Sequence, residues 1–209
     1  MITILCYGDS NTHGSNPAGG RYGPHERWPG VLRDELGEDF WVVEEGLGGR
    51  TTVFPDPVEG DHKNGKAHLV VSLQSHQPID LVVILLGTND LKMRFNVPAQ
   101  DVARGIGVLV EMVQGSTSGP DGGAPKILIV APPPFAKLTG FAEMFQDGAE
   151  KSFQLSSRYA EIASTYGCEF FDAGNVITSS TIDGIHWEKT EHIKLGKALA
   201  GLIKSLYPG

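Results

Sequence analysis

The sequence of 209 residues is short of several things that would fix its class at once. It has only two cysteines, Cys6 and Cys168, too few for a disulfide framework. Both sit in apolar runs that read as buried strands, so reduced core thiols are expected. It has no cluster of Lys and Arg: 25 acidic residues outnumber 17 basic ones and leave a formal net charge of -8. Phosphate binding needs concentrated positive charge, which argues against a nucleic-acid partner. No run approaches the roughly 18 to 20 apolar residues that cross a bilayer, and residues 1–6 carry neither a basic segment nor the long apolar one of a secretion signal. A cytoplasmic protein with no membrane partner is expected. The seven histidines occur in no His-x-His or His-Glu-x-x-His, so no metal is expected. No Gly-x-Gly-x-x-Gly follows the first apolar run and no Gly-Lys-Ser/Thr occurs, so no nucleotide cofactor is expected either. What the chain has in excess is glycine, 27 residues, where about 7% is usual.

Five short runs rich in Val, Ile, Leu and aromatics, at residues 2–7, 41–43, 80–86, 126–131 and 168–171, are nearly continuous rather than alternating, as in parallel strands buried on both faces. Helical spacing of three and four links Val102, Ile106, Leu109 and Val113, then Leu155, Tyr159, Ile162 and Tyr166, and finally Leu195, Leu199, Leu202 and Leu206. Strands alternating with helices imply an α/β fold, a three-layer α/β/α sandwich with a parallel five-stranded sheet. No linker or repeat divides the chain, so residues 1–209 are expected to form one domain. In such a fold ligands bind beyond the C-terminal ends of the strands, and the loops there are where chemistry is to be sought.

The first run ends in Gly8-Asp9-Ser10-Asn11-Thr12, placing a serine at the strand's C-terminal edge. After the last comes Asp183-Gly184-Ile185-His186. A serine hydroxyl is a poor nucleophile until a neutral imidazole accepts its proton, and that imidazole needs a carboxylate to hold its tautomer. An Asp three residues before the His can supply it, which makes Ser10, Asp183 and His186 the candidate catalytic residues. Donors for a developing oxyanion are available from Asn89 in Gly87-Thr88-Asn89-Asp90, from glycine backbone in Gly46-Leu47-Gly48-Gly49-Arg50, and from the N–H of Ser10.

In these blocks the chain resembles the SGNH, or GDSL, hydrolases, whose marks are Ser in a Gly-Asp-Ser turn, a Gly, an Asn in Gly-x-Asn-Asp and a late Asp-x-x-His. Here they are Ser10, Gly49, Asn89 with Asp90, and Asp183 with His186, in the family's order. The resemblance implies a flavodoxin-like SGNH hydrolase fold and an oxyanion hole of Ser10, Gly49 and Asn89. Gly49 is assigned by its place before Arg50, with Gly48 as the alternative. The flanking residues look like the aryl esterase and acyltransferase branch, implying a small-molecule ester substrate, short-chain ester hydrolysis with acyltransferase or perhydrolase side activity, and a homo-oligomer. Asn11 and His13 stand where the family tends to carry Leu and Trp. With Ile185 they are the candidate substrate-binding residues, and as polar lining of the site's mouth they would favour hydrolysis over acyl transfer. Phe135, Phe141 and Phe145, around the Pro132-Pro133-Pro134 loop, are candidates for closing over an acyl or aryl group or for a subunit contact, and Arg50 for tying loops together. The alternatives are a deacetylase of acetylated sugars with the same fold, and a carbohydrate-binding module without catalysis.

Overall fold

Alternation along the first strand, β1 (Ile2–Gly8), divides the interior in two: Ile4 and Cys6 face one side, Leu5 and Tyr7 the other, and all four are fully buried. The computed structural model describes residues 1–208. Beside β1 lie β2 (Phe40–Gly46), β3 (Leu81–Leu85), β4 (Lys126–Ala131) and β5 (Glu169–Asp172) in the order β2-β1-β3-β4-β5, every pairing parallel. The helices are α1 (Ser10–His13), α2 (Trp28–Leu36), α3 (Gly65–His76), α4 (Ala99–Gln114), α5 (Gly148–Ser152), α6 (Leu155–Tyr166) and α7 (Lys189–Leu206). The Ile4 face packs on α2 and α7 through Trp28, Leu32, Leu195 and Leu199, with Trp187 just ahead of α7. The Tyr7 face packs on α3, α4 and α6 through Leu69, Val102, Ile106 and Tyr159. Trp28 and Trp187 have no exposed surface, so they are packing anchors rather than walls of a site. A buried Trp of this kind is worth about 3–5 kcal/mol against Ala.

The sheet matches the expected five strands, with β2 longer than its three-residue core and Cys168 falling just before β5, half-buried. The sequence pattern does not announce α2 or α3. Pro29 and Gly30 in the first turn disguise α2, although Trp28, Val31, Leu32 and Leu36 are buried at helical spacing, whereas α3 exposes Val70 and Val71 and shows no clean apolar stripe. Among the described residues no helix is long and apolar enough to cross a membrane.

Because β2 pairs on one side of β1 and β3 on the other, a crevice opens beyond their C-terminal ends, the switch point at which such sheets bind ligands. Ser10 leaves β1 there, the Gly48–Thr52 stretch leaves β2 and Asn89 leaves β3. The loop after β5 is longer and arrives held by its own bonds: Gly184 N–H donates to Ser180 O (2.9 Å), Ser180 N–H to His186 O (2.8 Å) and Ala136 N–H to Gly184 O (3.0 Å). It delivers Asp183 and His186 to the same crevice.

Candidate active site

The turn from β1 into α1 is built for closeness. A Cβ on Gly8 would fall 2.8 Å from Leu85 O and collide with the side chain of Thr12, so only glycine lets α1 start directly at the strand edge. Asp9 caps α1, accepting from Asn11 N–H at 3.0 Å. Ser10, next in the chain, turns its hydroxyl outward and lies 3.0 Å, Oγ to Nε2, from His186. The other imidazole nitrogen, Nδ1, is 2.6 Å from Asp183 Oδ2, while Asp183 Oδ1 accepts from the N–H groups of Ile185 (2.8 Å) and His186 (2.9 Å). Burial pushes the Asp183 carboxyl up, but the hydrogen bonds from the imidazole and from these two amides outweigh it and hold it below the usual carboxylate range. An ionised Asp183 fixes the proton on Nδ1, so Nε2 presents its lone pair to Ser10 O–H.

Gly49 occupies φ +80°, where a Cβ would strike Glu59, and its N–H donates to no atom among the described residues. The Ser10 N–H is likewise without an acceptor. Asn89 donates one Nδ2 hydrogen to Arg50 O at 3.1 Å, which aims the amide and leaves its second hydrogen unused. Ser10, Gly49, Asn89, Ile185 and His186 line a single pocket of about 150 Å³, together with Phe141, Met144 and Phe145 on one wall and Glu59 and Lys92 on another. Gly48 is not part of its lining, and its carbonyl instead accepts from Lys63 Nζ at 2.7 Å.

Of the three residues expected to bind substrate, the pocket contains Ile185 but not Asn11 or His13. Successive helical residues point about 100° apart, so with Ser10 aimed outward Asn11 turns inward. It is buried, with Nδ2 3.4 Å from Ile185 O, and ties α1 to the loop carrying His186. His13 ends α1 on the side of Gly46, whose Cβ would meet the His13 backbone. Asn11 and His13 thus do not line this pocket, and the wall nearest His186 is apolar: the Phe141 ring meets the imidazole edge-on, 6.0 Å between centroids.

Beneath the pocket, Asp90 accepts from Thr52 N–H (3.0 Å to Oδ1) and from the Thr52 hydroxyl, joining the glycine turn after β2 to the turn that bears Asn89. Arg50 braces the same place from below, donating to Gly8 O (2.9 Å) and Glu45 O with its guanidinium 4.2 Å over the Tyr7 ring. Burial raises Asp9 to about 6 and also raises Asp90 to about 6, where the charge of Asp9 adds to the effect. A carboxyl raised on folding binds protons in the native state that the unfolded chain has lost, so its contribution to stability falls as pH rises from about 4 to about 6. Asp90→Asn removes that ionisation. Calorimetry across pH 4–7 should show the variant's Tm gaining on wild type as pH rises; a constant or shrinking difference would contradict the assignment.

Sequence reasoning did not find the wall made by Glu59 and Lys92. Lys92 is buried and pairs with Glu59 and with Asp56 Oδ2 (3.4 Å), while Arg94 donates to Asp56 Oδ1 at 2.9 Å. Burial alone would raise Asp56, but the N–H groups of Glu59 and Val58, then Arg94 and Lys92, bring it down to about 2. Removing one partner from so buried a group costs about 3–5 kcal/mol. No motif marks the cluster, because its acidic half, Asp56 and Glu59, and its basic half, Lys92 and Arg94, lie on two loops with paired residues 33 and more apart.

The model of the GDSL-like lipase/acylhydrolase family matches residues 6–191. The chain belongs to this family. Among solved structures it is similar to Est24, a carbohydrate acetylesterase from Sinorhizobium meliloti, at 40% identity and TM-score 0.96 over 99% of this chain and 100% of that one. It is also similar to the native M. smegmatis aryl esterase, at 42% identity and TM-score 0.93 over 99% and 100% of the two chains. A carbohydrate acetylesterase family member from Sinorhizobium meliloti matches at 38% identity and TM-score 0.94 over 99% of each chain. No curated protein matches. The sheet order of this family member and its match to those folds bear out the expected α/β class.

Proposed function

We propose that this chain is a one-domain serine esterase that cleaves short-chain carboxylic esters through an acyl-enzyme on Ser10. The observation that carries the reading is the continuous relay from Ser10 Oγ to His186 Nε2 (3.0 Å) and from Nδ1 to Asp183 (2.6 Å), opening on a pocket with free donors. Both distances are within reach for proton transfer. Ser10 Oγ attacks the ester carbonyl as His186 takes its proton, and Asp183 stabilises the imidazolium. The carbonyl oxygen, now anionic, accepts from the N–H groups of Ser10 and Gly49 and from Asn89 Nδ2. Collapse expels the alcohol, protonated by His186, and leaves the acyl group on Ser10. Water, deprotonated by the same imidazole, then repeats the sequence and releases the acid.

The apolar wall of Phe141, Met144, Phe145 and Ile185 suits a short acyl or aryl group. It also supports acyl transfer to alcohols or peroxide as a side activity, since transfer depends on excluding water from the acyl-enzyme. The polar wall of Glu59 and Lys92 favours a second reading, deacetylation of acetylated sugars, the activity named for two of the similar proteins. Cleavage rates for 4-nitrophenyl acetate and for a peracetylated monosaccharide, with ester and acid products separated in a water and alcohol mixture, distinguish these. No hydrolysis of either ester would overturn the esterase reading. Asn89→Ala should lower kcat by about 10²- to 10³-fold with a smaller change in KM, because the lost donor matters most to the anionic intermediate. A KM effect alone would move Asn89 out of the oxyanion hole. We further propose a cytoplasmic homo-oligomer acting on a small-molecule ester, with no nucleic-acid partner. The free Cys6 and Cys168, the exposed Val70 and Val71 and the net charge of -8 support this, and light scattering of the purified chain tests the assembly.

A further inference from the structure

The pocket's polar wall has a composition that packing alone does not explain. Glu59 Oε1 is taken by Lys92, with Arg94 Nη2 3.7 Å away, but Oε2 has no hydrogen-bond partner among the described residues. The side chain is 30% exposed, and Oε2 lies against the Cα of Gly49, at the edge of the oxyanion donors. A bare carboxylate there would repel the negative charge that forms on the substrate oxygen. The surroundings cancel it: Asp56 and Glu59 face Lys92 and Arg94, and Lys63, which lies beside Glu59 against Gly49 and donates to Gly48 O, adds a further cation, so the wall carries no net negative charge. What remains is an oriented acceptor oxygen, held in place by ion pairs and lacking a donor.

We propose that Glu59 is a specificity-determining residue whose free oxygen accepts a hydrogen bond from a substrate hydroxyl close to the scissile ester. The inference rests on the esterase reading of the same pocket. The cluster selects a hydroxyl over a cationic group, because no net negative field is left to draw a cation in. Within about 150 Å³ the hydroxyl must lie a few bonds from the carbonyl carbon, so the ligands in question are esters of polyhydroxy alcohols or esters of hydroxy acids. A fixed charged acceptor discriminates against the analogue without the donor, since the bound analogue covers the oxygen's part-exposed edge and replaces its water with nothing.

The test uses two matched substrate pairs on wild type, Glu59→Gln and Glu59→Asp. One pair is 4-nitrophenyl 3-hydroxybutyrate against 4-nitrophenyl butyrate, with the hydroxyl on the acyl side. The other is glyceryl monobutyrate against propyl butyrate, with it on the alcohol side. Wild type should prefer the hydroxylated member of one pair in kcat/KM by about 10- to 100-fold, and Glu59→Gln should cut that preference by about 10-fold or more. The pair that responds identifies the side of the ester that the wall reads. If Glu59→Gln does not fold, Glu59→Asp, which keeps the charge but withdraws the oxygen by one methylene, must show the same selective loss. Equal losses for both members of both pairs would make Glu59 purely structural and overturn the proposal. So would a wild type without preference, or a loss confined to butyrylcholine against its uncharged dimethylbutyl analogue. If wild type fails to cleave 4-nitrophenyl butyrate at all, the esterase reading falls first, and that failure is visible before any ratio is taken.

Discussion

Ser10→Ala should lower kcat for 4-nitrophenyl acetate by about 10⁴- to 10⁶-fold while leaving the fold and its Tm nearly unchanged. The hydroxyl is the only atom lost, and its one hydrogen-bond partner is His186 Nε2 at the solvent-facing end of the relay. The side chain contributes little to packing, because Ser10 stands at the floor of the pocket rather than in either core cluster. Residual activity is expected, since the donors of Gly49 and Asn89 still polarise a bound carbonyl for attack by water. Progress curves over hours, with the variant purified free of host esterase, make the measurement. A variant within tenfold of wild type would mean that another group is acylated, or that water attacks directly.

Asp183→Asn should cost about 10⁴-fold in kcat, and for a different reason. The amide oxygen can still accept from the N–H groups of Ile185 and His186, so the loop should keep its shape. The amide nitrogen then faces His186 Nδ1, which must accept rather than donate, and the ring proton is driven to Nε2. An Nε2–H cannot take the proton of Ser10. Wild-type Asp183 is held below the usual carboxylate range, so the wild-type profile should show no loss from its protonation until pH drops beneath that range. A comparison of kcat across pH in both proteins checks the account. A variant that kept more than a tenth of wild-type kcat would show that the tautomer is fixed by something other than Asp183.

These expectations use residues that were legible in the sequence because the chemistry demands particular types at strand ends. Ser10 follows a continuous apolar run, Asn89 follows another, and Asp183 and His186 are three apart in one loop, so local sequence carries each of them. The inner strands β1, β3 and β4 were legible for the same reason, since burial on both faces leaves unbroken apolar runs such as Leu81–Leu85, while the edge strands β2 and β5 are half-buried and showed only short apolar runs. The direction of a side chain was less legible. Asn11 and His13 stand next to the nucleophile in sequence, yet the turn of α1 buries one and sends the other toward Gly46. Adjacency along a helix is not adjacency in space. Helix α3 was hidden because Val70 and Val71 face solvent and blur its period. The wall of Glu59 and Lys92, with Asp56 and Arg94 paired behind it, was hidden because ion pairing between loops depends on where the loops meet, which no local pattern encodes.

The most direct test of the central claim is covalent. Purified protein treated with a serine-directed aryl phosphonate and read by intact mass and peptide mapping should gain one adduct per chain, on Ser10, with ester hydrolysis lost in step. Ser10→Ala should gain none, and His186→Ala should react far more slowly because nothing accepts the hydroxyl proton. An adduct on another residue, or hydrolysis that persists in fully labelled protein, would contradict the account.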